Sequence, residues 1–323
     1  MARKRRRRKT SLQRQWQRFQ KRSLTFMVLA IVVGVVAFIF LPEQSFYQLL
    51  HKTLGPDSEL TNLLIDLKRK QTQGNGNGSF DTNEDGGTTN LNTTEDFGLP
   101  AIGNYDQVVR HTAYTLVYDE AHEQARWVAH TLEKQNLTKR AERQDDFRPD
   151  PAVRTGSAVR SDYSRSGYDR GHLAPAADFS YSRKTMSESF FMSNMSPQRP
   201  ALNRGKWREL EEQIRYWVRF DEQLYIITGP IFADKNKKIG TQNSISVPTA
   251  FFKVVLDMKE PTLKGIAFIM PNEGIDNDKL LQDFAVSIDQ VEAQTGLDFF
   301  PQLEKDTALE KRLESQLNLN DWF

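Results

Sequence analysis

Between Gly167 and Asp178 the chain reads Gly-Tyr-Asp-Arg-Gly-His-Leu-Ala-Pro-Ala-Ala-Asp, so that Asp169 to His172 set an acid, a guanidinium, a glycine and an imidazole side by side. A neutral imidazole, with an ordinary pKa of ~6.5, is the side chain best suited to take a proton from water near neutral pH. Arg170 can hold a phosphate through paired hydrogen bonds, and Gly171 allows backbone to approach a bulky substrate. An isolated histidine is more often a packing residue held in a turn, and His51, His111, His122 and His130 read that way.

Two downstream segments set His172 apart from these. They are Phe191-Met-Ser-Asn-Met-Ser-Pro-Gln198 and Leu202-Asn-Arg-Gly-Lys-Trp-Arg-Glu-Leu-Glu211, with lesser marks at Thr228-Gly-Pro230, Val247-Pro-Thr-Ala-Phe-Phe-Lys253 and Met270-Pro271. In this order and spacing the motifs resemble the DNA/RNA non-specific endonuclease family of the ββα-metal type, the family of mitochondrial endonuclease G and secreted bacterial nucleases. The resemblance covers roughly residues 100–302.

The resemblance implies a role for each matching position. His172 falls on the general base, and Asn203 on the sole protein ligand of a magnesium ion, with manganese able to substitute. Glu211, eight residues on, falls on the glutamate that orients the metal's water shell. Arg170 and Arg215 match arginines that hold the phosphate or stabilise its charge, while Asp169 and Asn194 match supporting positions. One more arginine is expected upstream of the histidine. Arg140, Arg143, Arg148 and Arg154 compete for it, with Arg143 or Arg148 preferred.

A metal held by one neutral amide keeps most of its waters, which suits magnesium, an ion that dehydrates reluctantly. The implied activity is hydrolysis of DNA and RNA phosphodiesters to 5′-phosphate and 3′-hydroxyl ends, with no organic cofactor and with homodimerisation as an option. Contacts to phosphate carry no base information, so low sequence specificity is expected. Two rival readings stay open: a non-catalytic nucleic-acid-binding protein at a membrane surface, and a phosphodiesterase for a different substrate.

These residues need elements to carry them. Apolar spacing at Trp207, Leu210, Ile214, Trp217 and Val218 predicts an amphipathic helix that starts at Asn203. At ~100° per residue, Asn203, Glu211 and Arg215 can then border one cleft. Tyr114–Tyr118 and Gln124–Ala129 predict a strand pair; Leu224–Thr228, Ala250–Leu256 and Lys264–Met270 predict later strands, and Asp278–Gln294 a second helix. Strands without a βαβ rhythm predict an α+β fold: a ββα-metal nuclease domain whose antiparallel-rich central sheet is flanked by helices. A single N-terminal transmembrane helix and a flexible linker are expected ahead of it.

The 323 residues contain no cysteine, which excludes disulfides, thiolate nucleophiles, Cys-type zinc sites and iron–sulfur clusters. Of 44 Lys and Arg, eleven lie in residues 1–22, which contain no acid; the remaining 33 bases face 42 acids, a net −9. Directly after this basic head comes the uncharged stretch Leu24–Leu41, followed by Pro42, near the ~17–25 residues a membrane-spanning helix needs. It lacks the small-residue cleavage site of a signal peptide. The positive flank places the N-terminus in the cytoplasm. The expected order is basic head (1–22), transmembrane anchor (23–42), helical stem (43–70), flexible linker (71–99), nuclease domain (100–305) and C-terminal tail (306–323). That order implies a single-pass protein of the cytoplasmic membrane with its catalytic domain periplasmic or extracellular, or alternatively a mitochondrial inner-membrane protein. The four arginines of Arg154–Arg170 form a local basic patch, a better nucleic-acid footprint than the head.

Overall fold

The computed structural model describes residues 98–323 except 105, 260–262 and 277. The basic head, the anchor, the stem and nearly all of the linker therefore lie outside the described residues. Among the described residues no helix is long and apolar enough to cross a membrane.

Strands β1 (Gln107–Arg110), β2 (Tyr114–Asp119) and β3 (Gln124–Glu133) come first, then β4 (Asp169–His172), helix α1 (Arg183–Glu188), β5 (Met195–Gln198), and helices α2 (Pro200–Asn203) and α3 (Lys206–Asp221). They are followed by β6 (Gln223–Ile231), the short strands β7 (Lys238–Ile239) and β8 (Ile245–Ser246), β9 (Ala250–Asp257), β10 (Lys264–Pro271), β11 (Ala285–Val286), α4 (Ile288–Thr295) and α5 (Thr307–Glu310). Seven of the strands make one sheet in the order β1-β2-β3-β6-β9-β10-β11, antiparallel at every pairing. The fold is thus mixed α/β with a large antiparallel sheet, as the strand pattern predicts.

The central strands are apolar on both faces because both are covered. On one face Trp127, Ile227, Phe252 and Val254 pack with Ile288 and Val291 of α4 and with Phe299, Phe300 and Leu313. On the other, α3 supplies Trp207 against Phe251, with ring centroids 5.6 Å apart, and Trp217 against Phe268 at 6.2 Å. Neighbouring residues of one strand, Phe251 and Phe252, therefore serve opposite layers, as the two-residue period of a strand requires.

Three expectations need correction. Asn203 does not start the amphipathic helix; it ends the four-residue α2, and α3 begins at Lys206. The break is at Gly205, whose backbone (φ −107°, ψ −117°) is not helical and where a Cβ would stand 2.4 Å from the Ala201 carbonyl oxygen. The helix expected over Asp278–Gln294 is confined to Ile288–Thr295. Ser287 caps it by accepting from the Gln290 backbone N–H, and Gly296, in the left-handed conformation at φ 65°, stops it.

The third correction concerns residues 306–323, expected as a tail. They pack on the sheet: Leu313 is buried, and Trp322 is only 1% exposed, its ring 4.7 Å from that of Trp217. The Trp322 indole N–H donates to the Gly265 carbonyl at 3.3 Å. Emptying so closely packed a site costs transfer energy plus a cavity. Trp322→Ala is expected to lower stability by about 3–5 kcal/mol in urea unfolding; a loss below about 1 kcal/mol would return this segment to the status of a tail.

Candidate active site

The site is built on a two-stranded sheet apart from the large one. β4 and β5 pair antiparallel, with Asp169 opposite Gln198 and His172 opposite Met195. β5 then runs through Arg199 into α2, so two strands and a helix bring Asp169 and Asn203 together, with His172 at the far end of β4. Gly171 is required here by packing: a Cβ at this position would lie 2.1 Å from Gln198 Oε1. The space a side chain would need at Gly171 is taken by Gln198.

Asp169 is the hub. Its Oδ2 accepts from Asn203 Nδ2 at 3.1 Å and Arg204 Nε at 2.8 Å, and its Oδ1 accepts from the Arg204 terminal N–H at 2.7 Å. Burial works to raise the Asp169 carboxyl, but the hydrogen bonds from Arg204 and Asn203 and the charges of Arg204 and Arg170 outweigh it and hold the group below its ordinary value. With its amide N–H committed to Asp169, Asn203 has its carbonyl oxygen left to accept or to ligate. That donor set, one neutral amide oxygen beside an ionised carboxylate, fits a hydrated hard cation such as magnesium.

Beside this pair lies a cleft of about 430 Å³ lined by Asp169, Arg170 and Asn203 together with Arg143, Arg160 and Arg204. Asp145, Phe147 and Tyr168 complete it. Four guanidinium groups face two carboxylates, so the lining is net positive although residues 97–323 carry 29 bases against 33 acids. Arg170 stacks on Phe147, 4.4 Å from the ring centre, and its buried Nε has no hydrogen-bond partner among the described residues. A buried guanidinium N–H left in this state is primed for an anion.

His172 lies behind Phe147, at 5.9 Å between ring centroids, with Phe190 edge-on at 4.9 Å. It is 9% exposed, and its buried Nε2 has no partner among the described residues. Burial first, then the positive charges of Arg143 and Arg170, depress the imidazole to about 3. The ring is therefore neutral, the form a proton acceptor needs, throughout the physiological range.

A second layer of charge lies beneath. Arg215 donates to Asp178 Oδ1 at 2.9 Å, and His130 Nε2 meets Asp178 Oδ2 at 3.0 Å. Lys253 donates to Thr228 Oγ1 at 2.6 Å and to the carbonyl of Leu173, the residue after His172, at 3.4 Å. Burial raises the Glu211 carboxyl, opposed by the charges of Lys253 and Arg215. Asn194 is fully buried: its Oδ1 accepts from the Ala174 N–H and its Nδ2 donates to the Ala174 and Ser189 carbonyls.

A family model described as DNA/RNA non-specific endonuclease matches residues 93–306. The chain belongs to the DNA/RNA non-specific endonuclease family. Among similar proteins are the zebrafish "Nuclease EXOG, mitochondrial", 37% identical over 65% of this chain and 64% of the relative, and the human "Endonuclease G, mitochondrial", 35% identical over 64% and 73%. The chain thus spans a little under two thirds of the zebrafish relative's length. The "Mitochondrial nuclease" of Saccharomyces cerevisiae is 33% identical over 70% of this chain and 75% of its own. A solved structure titled as an EndoG/EndoGI complex, about the mechanism of EndoG inhibition, aligns with a TM-score of 0.59 at 33% identity, covering 64% of this chain and 89% of that one.

Of the family positions marked in the sequence, Asp169, Arg170 and Asn203 line the cleft, whereas His172, Asn194, Glu211 and Arg215 lie outside its lining. The three do not share one continuous helix: the break at Gly205 leaves Asn203 on α2 and Glu211 and Arg215 on α3. Of the four competing upstream arginines only Arg143 lines the cleft. Arg148 is held by Asp146 and the Ser187 carbonyl and stacks on Phe191. Arg160 was visible only as part of a basic stretch, and Arg204 had no signal beyond adjacency to Asn203. His130, read as a packing residue, is instead the partner of Asp178.

A folded-state value for His172 below the unfolded ~6.5 makes the unfolded chain the better proton acceptor, so this group lowers stability as pH falls from ~6.5 toward 3. An NMR pH titration should find the His172 ring neutral at pH 5 and its pKa raised in Arg143→Gln, where one repelling charge is gone. Titration near 6.5 in the wild type would refute this electrostatic picture.

Proposed function

We propose that this chain is a magnesium-dependent nuclease that hydrolyses phosphodiester bonds of DNA and RNA without regard to sequence, leaving 5′-phosphate and 3′-hydroxyl ends. The observation that carries the reading is the convergence at β4 and α2 of a neutral imidazole, an arginine with an unpartnered buried N–H, and an asparagine whose amide is oriented by an ionised aspartate.

In this reading His172, neutral in the free protein, takes the proton from the attacking water once a bound phosphate offsets the charges of Arg143 and Arg170 that depress it. Arg170 holds the scissile phosphate, and Arg143 and Arg160 add positive potential where negative charge grows in the transition state. Asp169 keeps the Asn203 carbonyl oxygen turned outward, and Arg204 keeps Asp169 in place. Asn203 would hold the magnesium, with Glu211 orienting its waters, and the ion when bound would supply charge neutralisation at the phosphate. Arg215 acts from behind, through Asp178, and Asn194 fixes the turn after His172; both are positioning residues.

The test is nicking of supercoiled plasmid and cleavage of RNA by the purified protein in magnesium and in EDTA. His172→Ala should lose about 10²–10⁴-fold in rate, and EDTA should stop the reaction. A wild-type chain that binds DNA without nicking it would favour the non-catalytic rival, and one that spares nucleic acid but cleaves a small phosphodiester would favour the other.

We also propose that residues 24–41 anchor the chain in a membrane, with the basic head on the inner side, the linker (71–99) as a tether and the catalytic domain across the bilayer. The names of the zebrafish, human and yeast relatives favour the mitochondrial alternative for that membrane. In sealed membranes with the far face outward, added protease should remove residues 97–323 and spare the head; full protection of the domain refutes this orientation.

A further inference from the structure

Far along the chain from the cleft, three acids converge without a counter-charge. Asp289 and Glu292 stand three residues apart on α4, and Glu314 lies in a turn of π-helix, Lys311–Ser315. One carboxylate oxygen from each lies within 4.8 Å of the other two. Glu314 is only 4% exposed, and its Oε1 is buried with no hydrogen-bond partner among the described residues. Glu292 is held from one side by the Phe299 backbone N–H, which donates to its Oε1 at 2.7 Å. Among the described residues no lysine or arginine pairs with any of the three.

An unpartnered carboxylate buried beside two others is expensive, and the fold has reason to keep it only if something positive takes the middle. Burial and the charges of Glu292, Glu310, Asp289 and Asp298 push the Glu314 carboxyl up to about 9, so a proton occupies it when no cation does. All three donors are carboxylate oxygens with no imidazole or thiolate, which suits a hard cation over a transition metal. Carboxylates brought together from a helix and an irregular turn suit the flexible coordination of calcium better than the strict octahedron of magnesium.

We propose that Asp289, Glu292 and Glu314 form a calcium site, separate from the catalytic cleft, that ties the C-terminal turn to α4. The turn it would fasten is already seated on the sheet: the Leu313 carbonyl oxygen lies 2.2 Å from where a Cβ on Gly265 of β10 would be, so only glycine fits beneath it. Calcium bound here adds a link between the last residues of the domain and its core. It shares no residue with the cleft, so the proposal is independent of the nuclease reading.

The experiment is thermal unfolding of the 323-residue chain in EDTA and in millimolar CaCl₂, for the wild type and for Asn203→Ala, with calorimetric titration of calcium into both. Calcium should raise Tm by roughly 3–6 °C in each, with one ion bound per chain in Asn203→Ala. Glu314→Gln and Glu292→Gln should abolish that shift. In EDTA Glu314→Gln should melt at or above the parent temperature, because an amide does not have to take up the proton that the buried carboxyl needs on folding, and its magnesium-dependent nicking should be unchanged. A calcium shift that survives both Gln variants, or one that vanishes in Asn203→Ala, overturns the proposal. No calcium response in either parent, with Glu314→Gln still stabilising, overturns it in favour of a shared proton.

Discussion

The fork between Asp169 and its two donors is the constraint on which the site depends. One carboxylate receives the Arg204 guanidinium on both oxygens and the Asn203 amide on one. Asp169 opens β4 and Asn203 closes α2, so this contact fastens the strand pair to the helix that comes after it. It also settles which end of the Asn203 amide is free, since a side chain with one donor and one acceptor end presents the acceptor only when the donor is occupied elsewhere. Remove the fork and the same residues remain near one another but without a defined direction, which is the usual way a site fails when its supporting contacts are lost.

Beneath the fork, buried charges are arranged so that each has an opposite neighbour. Asp178 stands between Arg215 and His130, joining α3 to β3, while Lys253 of β9 reaches the Leu173 carbonyl and offsets Glu211. Charges this deep persist only when paired and hydrogen-bonded. The consequence at the surface is that Arg143, Arg160 and Arg170 supply the cleft's positive potential inside a mildly acidic domain. In the proposed nuclease reading, affinity for a polyanion would be concentrated at this cleft and not spread over the surface.

Legibility in the sequence varied with the range of the interaction. The strands β2, β3, β6, β9 and β10 appear as runs of β-branched and aromatic residues, and the apolar face of α3 appears as a helical repeat, because both patterns are local. The end of α2 at Asn203 was missed since a single glycine, excluded from other identities by the Ala201 carbonyl, outweighs the propensity of its neighbours. The packing at Gly171 was hidden for a related reason: the space beside this glycine is filled by a residue 27 positions away, Gln198. Four upstream arginines looked equivalent, and only the packing of Arg148 on Phe191 against the placement of Arg143 in the cleft tells them apart.

What the sequence by itself determined is the chemistry available and the family it belongs to: which side chains stand at Asp169 to His172, Asn194, Asn203 and Glu211, in what order, with no thiol among them. Spacing along the chain carries that information because the motifs are short and each lies within one element or turn. The tertiary structure alone decided the state and direction of those groups: the imidazole kept neutral by burial and two guanidinium groups, the amide aimed by Asp169, the tail folded onto the sheet through Trp322. These outcomes depend on burial and on charges brought close from distant segments, and both quantities exist only once the chain has folded.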